Sequence, residues 1–218
     1  MTEFISGALS GIIQACIGHP FDTYKIRLQN NQNNIFNVNP FRGIFYPMQS
    51  AIFNCAITFG INSKVRSYGI DEIYSGFISG AAISPIVYVS DSYKIHRQLN
   101  NNMKPPPQLI ELWYKRGKTS TFLRESCAFA IYFKSFTIVD NHINNAFISG
   151  GIAGLCNWTA TYPLDVIRNR EIAQNITFKQ ALSLGNLWKG YGFCALRAVK
   201  VNAVGFYVYD SCRKILNK

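Results

Sequence analysis

Three short stretches of the chain carry an aspartate followed three residues later by a lysine or an arginine. The sets are Asp22 with Lys25, Asp91 with Lys94, and Asp165 with Arg168. Residues three apart on a helix lie on the same face, so each set presents a carboxylate and a cation together. In a soluble helical protein these would be ordinary solvated pairs, but inside a membrane charged groups are kept where they pair or face water. These residues are therefore the first candidates for chemistry.

The three sets belong to a tandem repeat. A Gly-x-x-x-Gly pair precedes each aspartate at one fixed distance, at residues 7 and 11, 76 and 80, and 150 and 154. The aspartates are 69 and 74 residues apart, and both glycines of every pair step identically. Two glycines, an acid and a base in register three times indicate repeats of about 1–70, 71–143 and 144–218. We expect the 218 residues to form a single domain, 1–218, of three packed units.

Each repeat predicts two long helices that position the charged sets. The first helix of each repeat is expected near 4–29, 75–99 and 145–171, and the second near 47–67, 120–139 and from about 190 to 215. A short amphipathic stretch is predicted near 178–184. Pro20 lies inside the first helix and should kink it, whereas Val89 replaces the equivalent proline of the second repeat. The glycine pairs offer small surfaces that let neighbouring helices approach closely.

Composition alone leaves the class of protein open. The hydrophobic fraction is 48% and the mean hydropathy is +0.04, values that a globular protein would also show. Helices that line a watery cavity carry polar residues on one face, which dilutes the hydropathy signal. The net charge of +11 fits nucleic acid, anionic lipid or an anionic solute. Because the lysines and arginines recur at fixed helix positions and form no run, the repeat argues against nucleic acid.

The repeated motif resembles the signature of the mitochondrial carrier family. Pro20-Phe21-Asp22-Thr23-Tyr24-Lys25-Ile26-Arg27-Leu28-Gln29 matches its pattern Pro-x-Asp-x-x-Lys/Arg-x-Arg-x-Gln, and related stretches begin at Val89 and Pro163. The resemblance implies an all-α membrane protein with six transmembrane helices in three repeats, arranged with threefold pseudosymmetry around a central cavity. It also implies a transporter and not an enzyme. Asparagine-rich stretches and short loops make the chain similar to the compact carriers of giant DNA viruses.

In the family, the acids and bases of the motif pair between helices. The resemblance therefore implies the pairs Asp22 with Lys94, Asp91 with Arg168, and Asp165 with Lys25, which would close the cavity on the matrix side. Glutamines brace this matrix gate, and Gln29 and Gln98 match them, while Ile172 replaces the third.

The resemblance also implies an opposite gate and a lipid site. The cytoplasmic gate element of the family, an aromatic residue and an acid followed by a base, is complete only at Tyr209, Asp210 and Arg213. The equivalent stretches of the other repeats begin at Asn62 and Phe136 and lack the acid. A lone ion pair contributes little, so we expect this gate to be held weakly. Aromatic-basic-glycine elements at helix starts hold cardiolipin in the family. They are matched by Arg42 with Gly43 and by Lys189 with Gly190, although plain helix caps would look the same.

The expected solute contacts lie on the second helix of each repeat. Ser50, Arg124 and Arg197 occupy equivalent positions, separated by 74 and 73 residues. Arg124 with Glu125 is similar to the basic-acidic pair of carriers for amino acids and carnitine esters, which favours a zwitterion. Lys200 lies one turn from Arg197, and the excess of cations over Glu125 favours an anion. We favour nucleotides or deoxynucleotides on this charge balance, with an amino acid or carnitine ester as the alternative.

The remaining features predict no other chemistry. The three histidines share no spacing with a nucleophile or with metal ligands, and no metal site or cofactor is expected. The six cysteines lie in separate apolar segments without a Cys-x-x-Cys pair, as buried thiols do. We expect a monomeric antiporter of the mitochondrial inner membrane, with an anionic solute and cardiolipin as partners and no nucleic acid. The rival hypotheses are a basic nucleic-acid-binding helical protein and a membrane scaffold that does not transport.

Overall fold

The structure is a computed structural model that describes residues 2–32, 36, 38–99, 108, 111, 115–197 and 201. This part of the chain contains helices and no β-strand. Six helices have defined bounds: α1 Thr2–Gln29, α2 Phe45–Arg66, α3 Glu72–Leu99, α4 Lys118–Ile143, α5 Ala146–Gln174 and α6 Phe178–Ser183. Residues 191–197 are also helical.

These helices lie where the repeat predicts them. The long helices differ from the expected bounds by a few residues at their ends, and α6 coincides with the predicted amphipathic stretch. Each of α1, α3 and α5 contains a proline: Pro20, Pro85 and Pro163. The second repeat therefore carries its proline one turn before Val89, at a position that the motif does not mark. Most of the last predicted helix lies outside the described residues.

The long helices pack in chain order. Helix α3 lies between α2 and α4, and α4 lies between α3 and α5. Helix α1 also contacts α3 and α5, so the first helices of all three repeats meet. The sharp reversal between α4 and α5 is made by Asn144, whose φ of 50° is left-handed and whose N–H donates to the Asp140 carbonyl at 2.8 Å.

The glycine pair of the second repeat allows α3 and α4 to touch. A Cβ added at Gly76 would lie 2.5 Å from the Phe129 carbonyl oxygen, and one added at Gly80 would overlap the Glu125 carbonyl. Backbone atoms cannot move aside as a flexible side chain can. The pair is therefore required for the helix contact, as its small-residue pattern predicts.

One described helix, Glu72–Leu99, meets the length and hydropathy expected of a membrane span, with a mean hydropathy of 1.4 over its most apolar window. Helices α2 and α4 both pack against this helix. Cys194 is buried, but Cys156 is exposed, so the expectation that the thiols are uniformly buried is wrong for α5.

The close contact at Gly80 yields a test of the packing. Gly80→Ala should lower the melting temperature of the detergent-solubilised protein by roughly 5 °C, because overpacking costs about 1–3 kcal/mol. The matched control is Gly60→Ala in α2, where a Cβ meets no described atom within 4 Å. Alanine favours the helix by up to ~1 kcal/mol over glycine, so Gly60→Ala should leave the melting temperature unchanged or raised. Equal effects of both changes would contradict the packing argument.

Candidate functional site

Three ion pairs join the C-terminal halves of α1, α3 and α5 in a ring. Lys94 Nζ lies 2.7 Å from Asp22 Oδ2, and Lys25 Nζ lies 2.6 Å from Asp165 Oδ2. Arg168 Nη2 completes the ring at 3.0 Å from Asp91 Oδ2. These are the three pairings between helices that the resemblance implies. We call this arrangement the ion-pair ring, the end of the bundle that holds it the ring end, and the opposite end the far end.

The ring is largely shielded from solvent. Lys25, Asp165 and Arg168 have side chains that are 7%, 2% and 7% exposed. Removing one partner of a buried pair leaves an uncompensated charge, which typically costs about 3–5 kcal/mol. Because each pair joins two different helices, this cost opposes any separation of α1, α3 and α5 at the ring end.

Amide side chains tie the ring helices together beside the ion pairs. The Gln29 amide donates to the Tyr162 hydroxyl at 3.2 Å, and its carbonyl oxygen accepts from Asn169 at 2.7 Å. The Gln98 amide donates to the Thr23 hydroxyl at 2.8 Å. The two glutamines therefore connect α1 with α5 and α3 with α1.

The third glutamine position is apolar. Ile172 occupies it and packs against Ile26, Tyr88 and Ile95. Hydrophobic packing here takes the place of the hydrogen bonds that Gln29 and Gln98 make in the other two repeats.

Buried arginines of the motif hold the chain around the ring. Arg27 donates to the Gln98 carbonyl at 3.0 Å. Arg170 donates to the carbonyls of Ala181 at 3.1 Å and Gly185 at 2.8 Å, where α6 ends. Arginine supplies several donors in a fixed fork, so one side chain can satisfy several orphan carbonyls at a helix terminus. Arg170 thereby anchors α6 to α5.

A second layer of charge lies against the ring and contains the predicted solute contacts. Arg124 forms an ion pair with Glu125, and both side chains are buried. Glu125 Oε1 also accepts from Arg168 Nη1 at 3.2 Å. Arg197 Nε lies 3.0 Å from Asp22 Oδ1. Two members of the ring, Arg168 and Asp22, are thus shared with the solute-contact positions, a link that spacing alone does not predict.

Trp158 of α5 connects the two layers. The Lys25 ammonium and the Arg124 guanidinium lie 4.9 Å and 4.8 Å from the centroid of its ring system. The attraction of a cation to an indole face supports both positive charges in a site with little water.

The charges of these two layers are closely balanced. Every charged side chain in them is in an ion pair: Asp22, Lys25, Asp91, Lys94, Arg124, Glu125, Asp165, Arg168 and Arg197. The sequence argument treated Arg197 as an uncompensated cation, but Asp22 of α1 is its partner. Asp22 is shared with Lys94, so these nine side chains keep one net positive charge. Comparison within one helix could not find this partner, since it belongs to another repeat.

The glycines of the expected lipid elements have a backbone that few other residues adopt. Gly43 and Gly190 have φ values of 84° and 87°, and Gly117 has the equivalent conformation at 98°. Gly43 packs against Lys94 of α3 and Gly190 against Lys25 of α1. A cavity of about 300 Å³ beside Gly43 contains the side chains of Arg42 and Arg97. Lipid binding by Arg42, Gly43, Lys189 and Gly190 stays a prediction.

Other predicted residues fall outside the described part of the structure. These are Lys200, Tyr209, Asp210 and Arg213, together with the side chain of Ser50. At the far end, the described residues form an exposed cluster in which Lys134 contacts Asp71 at 3.2 Å and Arg66 contacts Glu72 at 2.7 Å. The Ile73 N–H and the neighbouring Lys134 lower the pKa of Asp71, which lies in the turn between α2 and α3.

Comparison with known proteins identifies relatives of similar sequence. A family model described as mitochondrial carrier protein matches residues 1–38 and 140–218. The chain is 26% identical to the mitochondrial basic amino acids transporter of Bos taurus, covering 80% of this chain and 74% of that protein. It is 24% identical to a mitochondrial arginine transporter of Arabidopsis thaliana, covering 98% of this chain and 91% of that protein. It is also 24% identical to the mitochondrial ornithine transporter 1 of Saccharomyces cerevisiae, covering 96% of this chain and 94% of that protein.

The ring predicts a large loss of stability when one acid is neutralised. Asp165→Asn leaves Lys25 without its carboxylate partner and removes one partner of Arg168, so it should destabilise the protein by about 3–5 kcal/mol. The melting temperature of the solubilised protein should fall by roughly 10 °C. Asp71→Asn is the control, because Asp71 is 43% exposed and its ion pair is at the surface. A melting temperature that falls equally in both variants would contradict a special role for the ring.

Proposed function

The chain belongs to the mitochondrial carrier family, and we propose that it is a transporter that exchanges basic amino acids across the mitochondrial inner membrane. The observation that supports this substrate is Glu125, a buried carboxylate held between Arg124 and Arg168. A carboxylate beside an arginine provides a partner for an ammonium or guanidinium group and a partner for a carboxylate. These are the charged groups of a basic amino acid.

The charge balance of the site supports an amino acid over a nucleotide. Arg124 and Arg197 both have acidic partners, and the charged side chains of the two layers carry one net positive charge, fewer than the phosphates of a nucleotide would require. The names of these three relatives agree, since they concern basic amino acids, arginine and ornithine. Our preference for nucleotides from the sequence rested on an excess of two cations that included Lys200, which lies outside the described residues.

The proposed mechanism uses the residues that the ring and the second layer share. A solute cation that binds Glu125 competes with Arg168, and a solute carboxylate that binds Arg197 competes with Asp22. Each competition removes one partner from a ring residue and weakens the hold on α1, α3 and α5. A solute that binds the intermediate more tightly than either end state lowers the barrier between them, which is the requirement for alternating access.

The architecture that goes with this mechanism is also part of the proposal. We infer six membrane-crossing helices in three repeats around one central cavity, in a chain that acts as a monomer. The ion-pair ring would be the matrix gate, braced by Gln29 and Gln98. Tyr209, Asp210 and Arg213 would contribute to the cytoplasmic gate, and Ser50 and Lys200 to the solute site. Cardiolipin is the lipid expected beside Arg42 and Lys189.

Exchange by purified protein in liposomes tests the function. Vesicles loaded with arginine, ATP or no solute are offered labelled arginine or labelled ATP, and uptake is followed in time. We expect arginine uptake only into arginine-loaded vesicles. Exchange of ATP without exchange of arginine would overturn the substrate assignment. The absence of exchange for both, with the protein inserted and folded, would favour a scaffold that does not transport.

The same assay tests the role of Glu125. Glu125→Gln should lower the rate constant for arginine exchange by about 100-fold, because removing one member of a buried charge pair costs roughly 2–5 kcal/mol. The control Glu111→Gln removes an exposed carboxylate and should leave the rate unchanged. A Glu125→Gln protein that exchanges arginine at the original rate would exclude Glu125 as the solute contact.

A further inference from the structure

A separate cavity lies beyond the ion-pair ring, and we propose that it is a second solute site that holds the carboxylate of an amino acid at the ring end. Its volume is about 380 Å³. Pockets that bind small molecules begin at about 300 Å³, so the cavity can accommodate a solute of amino-acid size. The proposal rests on the proposed function for the identity of the solute.

The repeat shows where this cavity lies. Asn30, Leu99 and Ala173 all line it, and each is the eighth residue after the aspartate of its own repeat. One equivalent position from each of the three repeats therefore faces the same space. Equivalent positions of three repeats can meet in this way only around their common axis. The cavity is thus on the line along which a solute would pass.

The cavity lies next to the layer of glutamines that brace the ring, on the side where an apolar residue replaces the third glutamine. Ile172, the residue that replaces the third glutamine, forms part of the cavity wall. Gln29 and Gln98 are the residues immediately before Asn30 and Leu99, so the cavity begins one residue beyond the braces. A solute in this cavity would be separated from the ring by a single layer of side chains.

The lining suits a negatively charged group. The floor is buried, with Ser92 and Ile95 being 3% and 1% exposed. Around it stand Lys115, His96 and the Gln174 amide, which donates to the Asn30 side chain at 3.1 Å. None of the described lining residues is acidic. A lysine with amide donors and no competing carboxylate is a partner for the α-carboxylate of an amino acid.

The two sites would bind the solute in succession. Lys115 attracts the carboxylate of an amino acid arriving at the ring end, and the ring then opens to the inner site at Glu125. A solute arriving from the far end reaches Glu125 without meeting Lys115. The cavity therefore predicts that changes in its lining alter the apparent affinity at one end of the protein only.

The test measures arginine exchange separately from the two ends. An affinity tag is placed at the N-terminus, which lies at the far end because α1 begins there. Vesicles that hold one carrier each are divided by capture on the tag, which retains those with the far end outward. Uptake of labelled arginine then gives a KM for the far end from the captured vesicles and a KM for the ring end from the others.

Lys115→Gln should raise the KM for arginine at the ring end about fivefold, the effect of losing a partly exposed ion pair, and leave the far-end KM unchanged. Ala173→Leu should act in the same direction by filling the cavity while Lys115 stays in place. The matched control is Lys179→Gln, which removes an exposed charge of α6 at the same end and should change neither KM.

The outcomes separate this proposal from the proposed function. If the unaltered protein exchanges arginine but both cavity variants keep the original ring-end KM, the cavity site is excluded and the transport function stands. Equal changes at both ends would place the effect at the inner site and would also exclude it. A shift in Lys179→Gln as large as in Lys115→Gln would assign the effect to surface charge. If the unaltered protein exchanges no arginine, the proposed function itself fails.

Discussion

The structure depends on the cost of burying charge. Three aspartates and three basic residues lie in the interior of a helical bundle, where an unpaired ion is unfavourable by several kcal/mol. Each helix carries an acid and a base at positions that face its two neighbours. Pairing between helices therefore satisfies all six charges only when α1, α3 and α5 stand together. The same electrostatics that close the bundle also make the closure reversible, because another set of charges can take the place of a partner.

The solute-contact positions share partners with this closure. Glu125 contacts Arg168 and Arg197 contacts Asp22, so two of the ring residues are also bonded to predicted solute contacts. In the proposed mechanism, a solute that binds Glu125 and Arg197 would release a ring residue at the same moment. In thermodynamic terms, the differential interaction with the solute supplies the free energy that shifts the conformational equilibrium. A neutral solute, or one that carries a single sign of charge, would compete at only one of the two contacts.

Much of the ring could be predicted from the sequence because it repeats. Threefold register identified the acids and bases, and the family resemblance supplied which residues pair. The contacts between Arg168 and Glu125 and between Arg197 and Asp22 could not be predicted, because they join positions that are not equivalent in the repeats. At Ile172, register showed that the third glutamine is replaced, but not that packing against Ile26 and Tyr88 takes the place of its hydrogen bond. The sequence argument for an anionic solute counted Arg197 without its Asp22 contact, whereas the proposed amino-acid substrate rests on Glu125 and on the relatives.

The departures from symmetry fall where the three repeats must act differently. A strictly symmetric ring would bring three identical pairs and three identical braces to the axis, and a zwitterionic solute would find no preferred orientation there. This chain places its arginine-glutamate pair in the second repeat and its lone Arg197 in the third, and it leaves the third brace apolar. The acidic and basic contacts are thereby separated around the axis. Under the proposed function, an asymmetric solute would bind such a site in one orientation, so the breaks in the repeat would account for selectivity and the repeated ion pairs for closure.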